Sequence, residues 1–173
     1  KFDFEKGKWF NHQYLQLRSN EQLAEEFLAA MPEEAKLLTE AQKAQLPHVI
    51  GLVKERVNFV SELWEQMSFF VAPTEYDEKS LKKRWKEDSP KHMTELVAIL
   101  EKQDDWSAEA LDTAVMGWIA QQDYGVGIVM NAFRICLVGA ARGPHIWEIT
   151  NVLGKEETIR RVKEALLIMN YEL

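Results

Sequence analysis

Apolar residues recur at intervals of three and four along most of the chain, and no stretch alternates as a half-buried strand does. Residues 1–17 open with Asp3 in an N-cap position, and Trp9, Phe10, Tyr14 and Leu15 supply a face for a helix. Ser19 and Gln22 stand at capping-box spacing before Leu23, Ala24, Phe27 and Leu28, which predicts a helix over 19–30. The Met31-Pro32-Glu33 run breaks it. A second short helix is expected over 34–45, ending at Leu46-Pro47 because proline disfavours helix in the residue before it. The longest predicted helix covers 47–67, with Val49, Leu52, Val53, Val60, Leu63, Trp64 and Met67 on one stripe.

Phe69 to Thr74 is an apolar run interrupted by Pro73, which suits a hinge between two helical groups. The expected organisation is a linking segment over 1–18, a first helical subdomain over 19–70 and a second over 71–173. In the second, Leu81 and Trp85 form one apolar pair on a short helix, and Ser89-Pro90 starts the next, with Met93, Leu96, Val97 and Leu100 facing inward. Ser107 caps a helix carrying Leu111, Ala114, Val115, Trp118 and Ile119. A helix over 127–138 follows, with Ile128, Ala132, Ile135 and Cys136 at helical spacing, and then the loop Gly139 to Gly143. Pro144 suits the first position of a further helix, which Gly154 ends by tolerating a left-handed conformation. Glu156 and Glu157 before Arg160 and Arg161 match the dipole of a last helix. The fold class is all-α, built as two packed helical bundles.

With 46% hydrophobic and 28% charged residues, the 173-residue chain reads as a globular protein that excludes membrane-spanning runs. The single Cys136 can form neither an internal disulfide nor a zinc site, which points to a reducing cytoplasm. A net charge of -7 argues against non-specific nucleic-acid binding. One local exception is the run Lys79, Lys82, Lys83, Arg84, Lys86. Lys82, Lys83 and Arg84 are candidates for phosphate contact, although a solvated helix face is the commoner explanation of such a run. Four histidines, at 12, 48, 92 and 145, lack metal-ligand spacing, and no Walker-type glycine loop is present. No catalytic residue and no metal ligand is assigned.

Three features invite recognition chemistry. On a continuous helix, Arg56 falls seven positions after Val49 and four before Val60, near the centre of the apolar stripe. It then either packs its stem and pairs its head or turns toward a groove, where its planar fork can read a base edge. Arg134 sits among Phe133, Ile135 and Cys136, so a buried ion pair and a polar reader are both open. In the loop Arg142 to Trp147, Gly143 permits close backbone approach. Pro144 begins a helix whose amides can donate, and Ile146 or Trp147 can offer an apolar platform or else pack in the core.

The ordered runs Arg134-Ile135-Cys136-Leu137-Val138-Gly139, Gly143-Pro144-His145-Ile146-Trp147-Glu148-Ile149 and Leu153-Gly154-Lys155-Glu156-Glu157-Thr158 carry a family pattern. Together with KFDFEKGKWFNHQYL at the start and VKERVNFVSEL in the middle, they make the chain resemble the C-terminal anticodon-binding region of bacterial-type glutamyl-tRNA synthetases. The resemblance covers essentially the whole chain. It implies that Arg56 inserts toward the third anticodon base, and that Arg134 with Gly143, Pro144 and Ile146 cradles the first two. Trp147 stands where the family more often has Phe. It also implies that segment 1–18 links to a catalytic core.

The class I signatures resembling His-Ile-Gly-His and Lys-Met-Ser-Lys-Ser are missing, and the chain starts with Lys, so a non-catalytic fragment is expected. No cofactor is expected in the fragment. The resemblance puts ATP and Mg²⁺ with the full-length glutamate–tRNA ligase, and makes a glutamate-accepting tRNA the partner of a cytoplasmic monomer. A different class of function also fits the composition, an acidic helical module that binds a protein through exposed aromatics. Log-linear weakening of binding with salt separates RNA from that alternative.

Overall fold

The computed structural model describes residues 3–172. Positions 1 and 2 of the expected linking segment, and position 173, lie outside the described residues. Among those described, regular structure is helical throughout, with no strand. The chain forms two compact units, Lys1–Val71 and Ala72–Leu173.

The first unit contains α1 (Phe4–Leu17), α2 (Asn20–Ala30), the single turn α3 (Pro32–Ala35), α4 (Glu40–Val53) and α5 (Leu63–Met67). Asp3 caps α1 by accepting from the Glu5 and Lys6 amides, and Ser19 with Gln22 forms the expected capping box on α2. The second capping box is Thr39 with Gln42, and it starts α4 six residues later than the hydrophobic pattern suggests. Leu23, Phe27, Leu46, Val49, Ile50, Val53, Leu63 and Met67 close the core and are fully buried.

Two expectations about this unit are corrected. Pro47 does not end a helix but lies inside α4. An interior proline costs about 3 kcal/mol, and the cost is met because Leu46, Val49 and Ile50 on either side are buried. Nor is there one helix over 47–67. The chain leaves α4 through a 3₁₀ turn at Lys54–Arg56, becomes extended at Val57, and takes a second 3₁₀ turn at Val60–Glu62 before α5. The Glu62 carboxylate stabilises this break by accepting from the Asn58 and Phe59 amides at 2.7 and 3.3 Å.

The second unit contains α6 (Glu78–Arg84), α7 (Ser89–Lys102), α8 (Ala108–Gln122), α9 (Val126–Val138) and α10 (Ile146–Glu172). Helix α10 packs on α7, α8 and α9. Leu96, Leu100, Leu111, Val115, Phe133, Ile135, Cys136, Ile149 and Val162 are buried between them. Gly154, at φ 81 and ψ 168, divides α10 into the two helical stretches that the sequence separates there. Ile128 is exposed rather than on the core stripe of α9. Pro144 precedes α10 instead of starting it. His145 makes the entry, its carbonyl accepting from the Glu148 and Ile149 amides and its own amide donating to Glu148 Oε2.

Candidate nucleic-acid interface

The loop between α9 and α10 is shaped by a left-handed glycine. Gly139 caps α9 at φ 83, and its carbonyl accepts from the Asp77 amide at 2.8 Å, which ties the loop to the start of α6. A second tie joins the same elements, the Ala141 amide donating to Ser80 Oγ at 3.2 Å. Ser80 also donates to Asp77 Oδ2 at 2.6 Å. The hydrogen bonds from Ser80, with Arg142 nearby, hold the Asp77 carboxyl below the usual carboxylate range, so it stays an anion. A cleft of about 450 Å³ opens here between Glu75, Tyr76, Asp77 and Ser80 on one side and Gly139 to Arg142 on the other.

Arg134 braces the loop from inside. Its Nη1 donates to the Pro144 carbonyl at 2.7 Å and to the Arg142 carbonyl at 3.1 Å. A planar fork with fixed donor directions can hold two carbonyls from neighbouring loop positions at once. Gly143 between them sits at φ 102, a region glycine tolerates, and a Cβ there would lie 3.7 Å from Arg134 Nη1. Arg134, Gly143 and Pro144 therefore form one assembly. The geometry adds that the Arg134 head orders backbone, and that Pro144 is buried beneath the loop.

Of the two readings left open for Ile146 and Trp147, the structure takes core packing, and the apolar platform is corrected. Trp147 is 3% exposed and Ile146 5%. Trp147 Nε1 donates to Asp112 Oδ1 at 2.8 Å, and its ring lies 6.1 Å from that of Phe133. An indole that is buried and has its one donor satisfied is a core anchor, so both residues hold the base of the loop instead of offering a stacking surface.

The basic run divides in the same way. Lys82 and Lys83 are exposed on α6, the helix tied to the loop, while Arg84 is half-buried and donates to Asn131 Oδ1 on α9 at 2.6 Å. Arg84 thus docks α6, and the two lysines keep charge at the surface. In the first unit, Arg56 is exposed in the Lys54–Arg56 turn. Its expected place on a buried stripe is corrected, because that placement required a helix that stops at Val53.

One supporting residue carries no distinctive signal in the sequence. Arg161 is 3% exposed, donating Nε to Glu157 Oε1 and Nη1 to the Leu137 carbonyl, each at 2.9 Å. It therefore secures the end of α9 just where the loop departs. Arg160 makes a two-pronged contact to Glu157 at 2.8 and 2.7 Å. The hydrogen bond from Arg160, with that from Arg161, brings the pKa of the Glu157 carboxyl down to about 2. Burial pulls the Arg161 guanidinium down from its ordinary range. The trace in the sequence is the i, i+4 pair Glu157/Arg161, which reads there only as favourable dipole order.

The family model for the anticodon binding domain matches residues 21–166. The glutamate–tRNA ligase of Phocaeicola vulgatus is 52% identical over 170 residues, covering 98% of this chain and 33% of that protein. The glutamate–tRNA ligase of Flavobacterium johnsoniae is 42% identical over 167 residues, 96% of this chain and 32% of its own length. Among solved structures, a glutamate tRNA ligase from Elizabethkingia meningosepticum, in complex with its amino acid, superposes with a TM-score of 0.81. It is 36% identical, and the match covers 95% of this chain and 32% of that one. The chain spans about a third of the length of the curated relatives it matches, and the match falls on their C-terminal part.

Proposed function

The chain belongs to the anticodon binding domain family, and from that premise we propose that it reads the anticodon of a glutamate-accepting tRNA for a glutamate–tRNA ligase. The observation that carries this reading is the loop after Gly139, held open-faced by Arg134 through the Arg142 and Pro144 carbonyls. A preorganised loop with Gly143 at positive φ lets an unstacked base approach backbone donors and acceptors without the cost of ordering them. Arg134, Gly143 and Pro144 form the seat for the first two anticodon bases, with Ile146 and Trp147 fixing it from below. Arg56 reads the third, which agrees with its exposure on a 3₁₀ turn. Lys82 and Lys83 contact phosphate.

In this reading the chain itself is non-catalytic. ATP and Mg²⁺ would supply amino-acid activation, and they belong to the rest of the ligase. Among the described residues there is no group of three or more His, Cys, Asp or Glu able to bind a metal ion, and the sequence has no Walker-type phosphate loop. The ligase is proposed to be a cytoplasmic monomer. Among the described residues, no helix is long and apolar enough to cross a membrane.

The test is aminoacylation by the whole ligase of glutamate tRNA and of the same tRNA with its third anticodon base changed. A bidentate base contact discriminates by about 1–3 kcal/mol, so Arg56→Ala is expected to erase roughly 5- to 150-fold of the preference in kcat/KM. Unchanged discrimination with a normally folded variant would remove Arg56 from the reading.

A further inference from the structure

The chain between α4 and α5 leaves one large apolar side chain at the surface. Phe59 is 41% exposed, while Phe27, Phe69 and Phe70 of the same unit are 0%, 0% and 2%. Keeping a phenyl ring out of the core forfeits hydrophobic stabilisation. Nor is the segment loose. The Phe59 amide donates to Glu62 Oε2 at 3.3 Å, and its carbonyl accepts from the Glu62 amide at 3.0 Å, so both of its backbone groups are tied to one residue. Beside it, the Asn58 amide donates to the same carboxylate oxygen at 2.7 Å, and Val57, 1% exposed, turns into the core.

The other end of the segment is held as firmly. Gln16 Nε2 donates to the Lys54 carbonyl and His12 Nδ1 to the Val57 carbonyl, both at 2.9 Å. The Val57 amide closes the turn on the Lys54 carbonyl at 3.3 Å, and Lys54 Nζ reaches the Arg18 carbonyl, also at 3.3 Å. Arg56 stands inside this bracket and is exposed. Three residues of chain span at most about 11 Å, so Arg56 and Phe59 rise from neighbouring points on one braced strip of backbone. An aromatic ring and a guanidinium, both at the surface on backbone that needs no further ordering, suit an unstacked base. The ring receives its face and the planar fork its edge. A protein partner asks for a wider apolar surface than one ring among Glu55, Arg56 and Asn58 offers.

We propose, resting on the assignment of the third anticodon base to Arg56, that Phe59 is the stacking platform for that base. It holds the base by its face while Arg56 reads the edge. The two contributions differ in kind. Every base has a π-face, so stacking is nearly indifferent to base identity and Phe59 supplies affinity. Identity comes from the hydrogen bonds of Arg56.

A double-mutant cycle on the whole ligase tests this, with glutamate tRNA and the same tRNA carrying an abasic nucleotide at the third anticodon position. On intact tRNA, Phe59→Ala is expected to raise Kd about 5- to 150-fold, the equivalent of one stacked base. On abasic tRNA the variant should bind as the wild type does. Phe59→Trp should keep the affinity for intact tRNA, and Phe59→Leu should lose it, because an aliphatic side chain fills space without stacking. The salt slope should not change, since no phosphate contact is removed. A Phe59→Ala loss that persists on abasic tRNA would overturn the proposal, because the ring would then act on another nucleotide or on the fold. So would a melting temperature of the free ligase lowered by several degrees, the sign of a ring covered by protein. If the wild type itself binds both tRNAs equally, the third base is not read, and the assignment of Arg56 fails with the platform. If the wild type distinguishes them and Phe59→Ala matches it on both, the platform alone fails.

Discussion

Substituting alanine for glycine at positions 139 and 117 should move stability in opposite directions. At Gly139 the backbone is left-handed, which costs an alanine about 1–2 kcal/mol. The added Cβ would stand 2.7 Å from the Glu75 carbonyl oxygen and 2.8 Å from Pro73 Cβ. A backbone oxygen and a proline ring cannot swing away as a flexible side chain can, so overpacking adds about 1–3 kcal/mol. The loss of chain freedom in the unfolded state returns about 0.4–1 kcal/mol. Gly139→Ala is therefore expected to destabilise the second unit by about 2–4 kcal/mol. Gly117 lies in α8, and a methyl group added at its Cα would meet no atom within 4 Å. There alanine gains helix propensity, and Gly117→Ala should stabilise by about 0.5–1 kcal/mol. Urea unfolding followed by circular dichroism measures both as shifts in midpoint at constant slope. A Gly139→Ala protein within about 0.5 kcal/mol of wild type would refute the claim that the loop needs this backbone and this close approach.

Three further outcomes are expected around the loop. Trp147→Ala should cost about 3–5 kcal/mol as a core truncation, with Trp147→Phe much milder; if Trp147→Ala instead folds with full stability and loses only RNA affinity, the buried assignment is wrong. Glu157 has its folded pKa depressed to about 2 from an ordinary 4.5, so its contribution is present above about pH 4.5 and is lost as pH falls toward 2. Glu157→Gln should flatten acid destabilisation across that window, and an unchanged pH profile in unfolding titrations would contradict the pairing with Arg160 and Arg161. Lys82→Ala and Lys83→Ala should each weaken tRNA binding without altering anticodon preference and lower the salt slope by about one; a slope identical to wild type would mean that neither lysine meets phosphate.

Most of the helices were legible because their signals are local. Ser19 with Gln22, Ser107, and Ser89-Pro90 announce helix starts through hydrogen bonds or dihedral limits spanning four residues or fewer, and these lie where expected. Gly139 and Gly154 mark the breaks at α9 and α10 because positive φ strongly favours glycine. The loop after Gly139 was readable for the same reason, whereas the grouping of Arg134 with Gly143 and Pro144 came only from the family resemblance.

Other features were decided only by the tertiary structure, where a local preference met a larger burial term or needed a distant partner. Pro47 disfavours helix locally, yet four buried aliphatic residues of α4 outweigh it. The periodicity across 47–67 could not reveal the break after Val53, since apolar residues remain inward whether they reach the core from a helix or from successive turns. Which arginine is buried depends on contacts 24 residues apart for Arg161 and Leu137, and which tryptophan is a core anchor depends on Asp112, 35 residues from Trp147. Sequence alone determined the helical class, most caps and the residues of the loop. Packing decided which side chains face out, because burial is a property of neighbours brought together in space, not of spacing along the chain.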